Sequence, residues 1–186
     1  MAKDYSPTID QGSNWILTVE YLENFSAVSL LGYTAKLQVR EFLTSASPVF
    51  TLEAKAAAIT GVSNASGVVT YTATNSFAAN QIAYIYGVTP VDYNLSNVKV
   101  KAATSTSFTV DSTASGSYVS GGYAMVGSGV TISPTTGKVT ISATAAQTAL
   151  LTSPQYVYDL KITSPAGDVT RLIQGTLSIN SQVTRD

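Results

Sequence analysis

Five tyrosines, Tyr84, Tyr86, Tyr93, Tyr118 and Tyr123, crowd the middle of this sequence. A phenol ring joins an apolar face to a polar tip, so an exposed tyrosine stacks on sugars or anchors protein contacts. A small module must also build its core from such rings, and core and interface stand as alternative readings for each of them. Asp92, Asn94 and Asp111 offer oxygen atoms to a cation, but calcium takes six to eight such ligands and no loop here has clustered acidic spacing. A local Asx turn accounts for Asp92-Tyr-Asn94 without a metal. Asp159 and Lys161 share a strand face, as do Lys36 and Arg40, and exposed pairs of this kind contribute only ~0–1 kcal/mol. Paired carboxylates could hydrolyse a glycoside, yet the 11 acids lie scattered over turns and outer strand faces.

The sequence has no His and no Cys. The commonest general base, the commonest metal ligand and all thiolate chemistry are therefore missing. No catalytic residue, metal or cofactor is expected, and the chain reads as a non-enzyme. Only 11% of its residues are charged and the net charge is −1, which disfavours electrostatic capture of nucleic acid. A surface rich in hydroxyls and tyrosine and poor in charge suits a protein packed against neighbours, because charge is depleted at interface cores. No apolar run resembles a signal peptide or a membrane span. The Asn24-Phe-Ser, Asn64-Ala-Ser and Asn94-Leu-Ser triplets are then chance matches to glycosylation acceptors.

The elements that must position these residues are strands. Tyr156, Tyr158, Leu160 and Ile162 alternate with Val157, Asp159, Lys161 and Thr163, and Pro165 and Gly167 turn the chain into a second alternating run, Val169–Asn180. Near the N-terminus Trp15, Leu17, Val19 and Tyr21 form an inner face. A loop over Glu23–Ser29 leads to a strand with Ala35, Leu37 and Val39 inward and Lys36, Gln38 and Arg40 outward. Val49–Glu53 is a third strand entered through Pro48. Val130–Ser142 reads as a hairpin, and Ala143–Leu151 as the one helical segment. Trp15, Leu17, Leu37, Val39, Tyr158 and Leu160 are expected in a shared core.

Between these parts the texture changes. Ala54 is followed by small residues, then by short candidate strands at Val68–Ala73, Ile82–Tyr86, Asn97–Ala102, Phe108–Asp111 and Tyr123–Val126, separated by Gly, Asn and Ser. Splicing 1–54 to 127–186 gives about seven strands and one short helix, the size of an immunoglobulin-like antiparallel β-sandwich. Residues 55–126 then form an inserted small all-β barrel or sandwich. Met1–Pro7 and Ser181–Asp186 fall outside the strand patterns and read as arms that order against neighbours, with Tyr5 and Arg185 as candidate contacts beside the five tyrosines.

Certain residues also resemble a known group. Ile9–Gly12, the Leu31–Ala35 corner, Tyr156–Leu160 and Val169–Leu172 are similar to the signatures of phage virion proteins. These are the Ig-like N-terminal domains of upper-baseplate proteins that hold fibres on a tail. Val69–Ala73, Tyr86–Asn94 and Ser105–Val110 resemble a small β module of cyanophage tail and fibre proteins. That module often carries a His-Gly pair where this chain has Asn75-Ser76-Phe77. The resemblance implies a structural adaptor in the virion, made in the host cytoplasm and placed at a tail, neck or baseplate. Its partners would be other virion proteins, in a symmetric multi-copy ring, with neither nucleic acid nor membrane. A glycan- or receptor-binding module or a capsid decoration protein is the alternative.

Overall fold

The computed structural model describes residues 2–183. The fold is all-β, with 53% of residues in strands, one short helix, a large mixed sheet and smaller sheets. By compactness the chain divides into two units. The first takes residues up to Leu30, Thr34–Ala54 and those from Ser128 onward; the second takes Leu31–Tyr33 and Lys55–Gly127.

The first unit begins with β1 (Lys3–Asp4) and β2 (Thr8–Asp10), then β3 (Trp15–Glu20), a miniature hairpin of β4 (Leu22–Glu23) and β5 (Ser26–Ala27), β6 (Thr34–Arg40) and β7 (Phe50–Ala58). The second unit contributes β8 (Gly61–Ala65), β9 (Val68–Thr72), β10 (Ile82–Tyr86), β11 (Val98–Ala103), β12 (Ser107–Asp111) and β13 (Tyr123–Ser128). The chain then returns through β14 (Val130–Ser133), β15 (Lys138–Ala143), helix α1 (Ala145–Thr148), β16 (Gln155–Thr163) and β17 (Val169–Asn180).

In the first unit the strands run in the order β1-β17-β16-β6-β7, and β14-β15-β3 form a separate three-stranded sheet. Period-two alternation decides what each strand buries. On β6 and β16, Ala35, Leu37, Val39, Tyr156, Tyr158, Leu160 and Ile162 are buried, while on β3 Trp15 is buried and Ile16, Thr18 and Glu20 are exposed. Leu17 is only half-buried. The Trp15 ring meets Tyr158 edge-on, with centroids 5.7 Å apart, a geometry that suits aromatic quadrupoles.

The N-terminal residues are not the free arm that their pattern suggested. β1 and β2 both pair parallel with β17, with Lys3 opposite Ile173 and Ile9 opposite Ile179. Tyr5 N–H donates to Gln174 O at 2.9 Å. A Cβ on Gly175 would overlap the carbonyl oxygen of Tyr5, so glycine allows this segment to pass directly over β17. Sequence patterning misses such a strand because its affinity comes from backbone pairing, and only Ile9 among its side chains is buried. Residues 181–183 lie outside the strands and are exposed, and the Arg185 contact falls outside the described residues.

Three other expectations are corrected. The helix spans Ala145–Thr148 instead of Ala143–Leu151, because Ala143 still belongs to the alternating run of β15 and pairs with Trp15. Thr144 then starts the helix with a capping box completed by Gln147, which satisfies otherwise unpaired N–H groups. The stretch Glu23–Ser29 holds a hairpin turn in place of a simple loop. β7 continues to Ala58 rather than stopping at Glu53, and β8 adds a strand; both are runs of small residues that carry no hydrophobic period.

In the second unit the order is β13-β10-β11-β12-β9-β8, all antiparallel. Its core centres on Tyr71, which stacks on Phe108 at 5.0 Å and meets Tyr93 edge-on at 6.5 Å. Phe77 closes on Phe108 at 5.3 Å. The corner at Leu31–Tyr33 belongs here because Gly32, at φ 76°, lies under Tyr123, where an added Cβ would come within 2.5 Å of the ring.

Candidate interaction surfaces

The fold sorts the tyrosines into three environments. Tyr84 and Tyr86 lie on the half-buried face of β10, opposite Met125 and Tyr123 respectively, so Tyr84, Tyr86 and Tyr123 come together on one face. Tyr93 is a core residue: it is 1% exposed, its hydroxyl donates to Gly116 O at 2.6 Å, and its carbonyl accepts the Tyr71 hydroxyl at 2.8 Å. Tyr118 uses its hydroxyl on the carbonyls of Ile59 and Gly121, at 3.0 and 3.2 Å, and thereby fastens a loop. Tyr5 is 43% exposed, while its backbone N–H is held by β17. Tyr93 and Tyr118 are thus built into the second unit, and Tyr5 stays partly exposed.

Burial governs the titration of two other tyrosines. Desolvation first, and the neighbouring Tyr93 second, push the Tyr71 phenol above its ordinary value. Tyr158 is raised in the same way by burial and then by Tyr5. At Tyr156 burial acts upward, but hydrogen bonds from Ser153 and Thr152 outweigh it and the phenol is lowered.

The candidate calcium oxygens do not converge. The Asn94 side chain brackets Val88, accepting from its N–H at 2.8 Å and donating to its carbonyl at 3.0 Å. Asp111 pairs with Lys101 at 2.7 Å, and Asp92 is exposed in a single 3-10 turn, Val91–Tyr93. Among the described residues no group of three or more Asp or Glu is placed to hold a metal ion.

Strand pairing assembles a polar row that periodicity alone does not reveal. Gln38, Asp159, Gln174 and Asp4 stand side by side across β6, β16, β17 and β1. Asp159 lies 3.4 Å from Lys161 Nζ and 3.2 Å from Arg171 Nε. Arg171 donates to Gln174 at 2.6 Å, and Gln174 to Asp4 at 3.0 Å. These groups, with Arg40, line an open depression of about 630 Å³. Its signal in sequence was the outward set Gln38, Arg40, Asp159 and Lys161, but the registers that align them across four strands are a tertiary property.

Beside it lies a more apolar pocket of about 560 Å³, walled by Phe42, Leu43, Pro154, Tyr156 and Val157. Phe42 and Leu43 are 62% and 86% exposed. At the tip of the β4–β5 hairpin Phe25 is 100% exposed. These apolar tips were not singled out in the sequence, where loop apolar residues show no period. No protein-family model and no curated protein matches this chain.

Proposed function

We propose that this chain is a non-enzymatic structural adaptor of a phage virion, which joins neighbouring subunits or fibres at a tail, neck or baseplate by protein–protein contacts. The observation that carries the reading is the set of large apolar side chains at loop tips of the first unit, with Phe25 wholly exposed and Phe42 and Leu43 mostly so. Solvated apolar tips, two of them beside a pocket, are characteristic of interaction sites. The low charge and the virion-like strand and corner motifs support the same reading. In it the first unit is an immunoglobulin-like sandwich, in which β14-β15-β3 faces β16 and β6 through Trp15 and Tyr158, and the second unit is an inserted β module that presents Tyr84, Tyr86 and Tyr123.

The test is the protein content of purified particles from the phage that encodes this sequence. Peptides of the chain at a fixed stoichiometry to a tail or neck protein are expected; a chain found only in the lysate supernatant overturns the reading. A glycan-binding role is favoured by one feature, the row Gln38, Asp159, Gln174 and Asp4, because fixed amides and carboxylates suit sugar hydroxyls. Titration with host envelope polysaccharide separates the two, since an adaptor leaves these residues unperturbed.

A further inference from the structure

We infer that the outer face of β6, β16 and β17 binds an acidic polysaccharide, with the sugar carboxylates on its basic side chains and the sugar hydroxyls on the amides and carboxylates beside them. The inference deepens the glycan-binding reading by naming the charge of the sugar, and it neither needs nor removes the adaptor role. Strand register places Lys36, Lys161 and Arg171 side by side across β6, β16 and β17. Facing residues in such a row stand about 5 Å apart at Cβ, where like charges destabilise a sheet. β6 and β16 are inner strands of their sheet, so these cations do not serve to blunt an exposed edge. A chain with only 10 basic residues thus sets three of them in mutual repulsion. An anion laid along the row turns that repulsion into attraction.

The same face holds the polar depression of about 630 Å³, a volume in the range of small-ligand sites. Arg40 lines it and donates to the neutral acceptors Ser45 O and Gln38 Oε1. Its guanidinium has further N–H donors, in a planar fork that matches a carboxylate. Lys161 and Arg171 share a single acid, Asp159, which is more covered than either of them. An approaching ligand therefore meets the cations first. Asp4 lies at the far end of the adjoining row, bonded to Gln174, and Glu53 stands opposite Lys36 on β7. Lys36, Arg40, Lys161 and Arg171 outnumber these three acids, so the face is positive in a chain whose net charge is −1.

The arrangement suits a sugar acid better than other polyanions. Gln38, Asp159, Gln174 and Asp4 form the row beside the cations. Hydrogen bonds from Arg40 to Gln38, from Arg171 to Gln174 and from Gln174 to Asp4 hold that row in place. Amides and carboxylates fixed in this way bond to hydroxyls at little ordering cost. Leu43, which is exposed, also lines the depression and offers an apolar contact to the C–H edges of a sugar ring. Nucleic acid meets two obstacles here. The acids of the polar row repel a backbone charged at every phosphate. Tyr158, the aromatic residue lining the depression, is buried, so its ring offers no platform on which a base could stack.

Calorimetric titration of the full chain at low salt tests the site with oligogalacturonate, its methyl ester, oligoacrylate and single-stranded DNA of matched length. Oligogalacturonate should bind about tenfold or more tighter than each of the others, and raising the salt should weaken it. A chain carrying both Lys36→Gln and Lys161→Gln should lose about tenfold of that affinity. Its unfolding midpoint should stay level or rise, because the repulsion along the row is gone. A fall in midpoint with binding unchanged would make the row structural and overturn the inference. Equal binding of the methyl ester also overturns it, leaving a neutral glycan site. Equal binding of oligoacrylate removes the role of the hydroxyls, and tighter binding of DNA reassigns the face to nucleic acid; either result is fatal to the inference. If oligogalacturonate and its ester both fail to bind, the inference and the glycan-binding reading fall together, while the protein content of particles decides the adaptor reading separately.

Discussion

The hydroxyl of Tyr158 donates a 2.7 Å hydrogen bond to the backbone carbonyl of Tyr5, across 153 positions of sequence. It ties the first strand segment to the hydrophobic interior, because the same Tyr158 ring packs on Trp15. Tyr158→Phe removes the donor and leaves the ring, so a loss of ~0.5–1.5 kcal/mol is expected. Amide hydrogen exchange should accelerate at Tyr5 and its neighbours and stay unchanged in residues 68–72; uniform acceleration would refute a local fastening role.

Alkali should weaken the fold in a defined window. The Tyr158 and Tyr71 phenols are both raised in the folded chain, by burial first and by a neighbouring tyrosine second. Their contribution is complete below the unfolded value of about 10 and declines as pH rises from there toward the folded values, because only the unfolded chain then ionises. The urea midpoint should be flat from pH 7 to 9 and fall above about pH 10. Tyr71→Phe, with Tyr158→Phe, should flatten that fall.

Gly175→Ala should dislodge the N-terminal segment, since the new methyl group would occupy the place of the Tyr5 carbonyl oxygen. A loss of ~1–3 kcal/mol is expected, with proteolysis beginning at Lys3. In a chain lacking residues 2–10 the same substitution should have little effect, and an equal loss in both backgrounds would show that the strain lies within β17.

Trp15→Ala opens a cavity between β3 and β16, where Trp15 is 7% exposed. A loss of ~3–5 kcal/mol is expected. An unchanged unfolding midpoint would contradict the packing of Trp15 on Tyr158.

In the second unit Tyr71→Phe keeps the stack on Phe108 but strands the buried carbonyl of Tyr93, which accepts the Tyr71 hydroxyl. Loss of ~1–3 kcal/mol follows from an unsatisfied buried acceptor. Denaturant unfolding followed by exchange at Val69 and Val110 measures it directly.

Strands with a strong period were legible: the inward set of β6 and β16 is buried as alternation required, and Ile82–Tyr86 has the bounds its pattern gave. Elements made of small or polar residues were not. Gly61–Ala65 and Lys3–Asp4 exist because a neighbouring strand offers backbone partners, information that resides elsewhere in the chain. The tyrosines could not be sorted by type, since Tyr86 and Tyr93 differ in burial through the strand and turn that carry them. Gly175 did carry a readable sign: a glycine inside a strand marks a close backbone approach.

Parallel pairing of β1 and β2 with β17 also fixes an order of events during synthesis. The ladder that holds Lys3 needs Ile173, so a segment made early waits for one made much later in the chain. The stretch from Lys55 to Gly127 is one continuous segment of the second unit, with neighbouring strands such as β8 and β9 pairing locally. Local pairs form sooner than distant ones because short loops close at lower entropic cost. The inserted segment therefore has time to fold while the surrounding unit is still missing its central strands β16 and β17. During that interval β1 and β2 lack their partner strand, and their backbone is open to any strand edge nearby, including that of a neighbouring nascent copy.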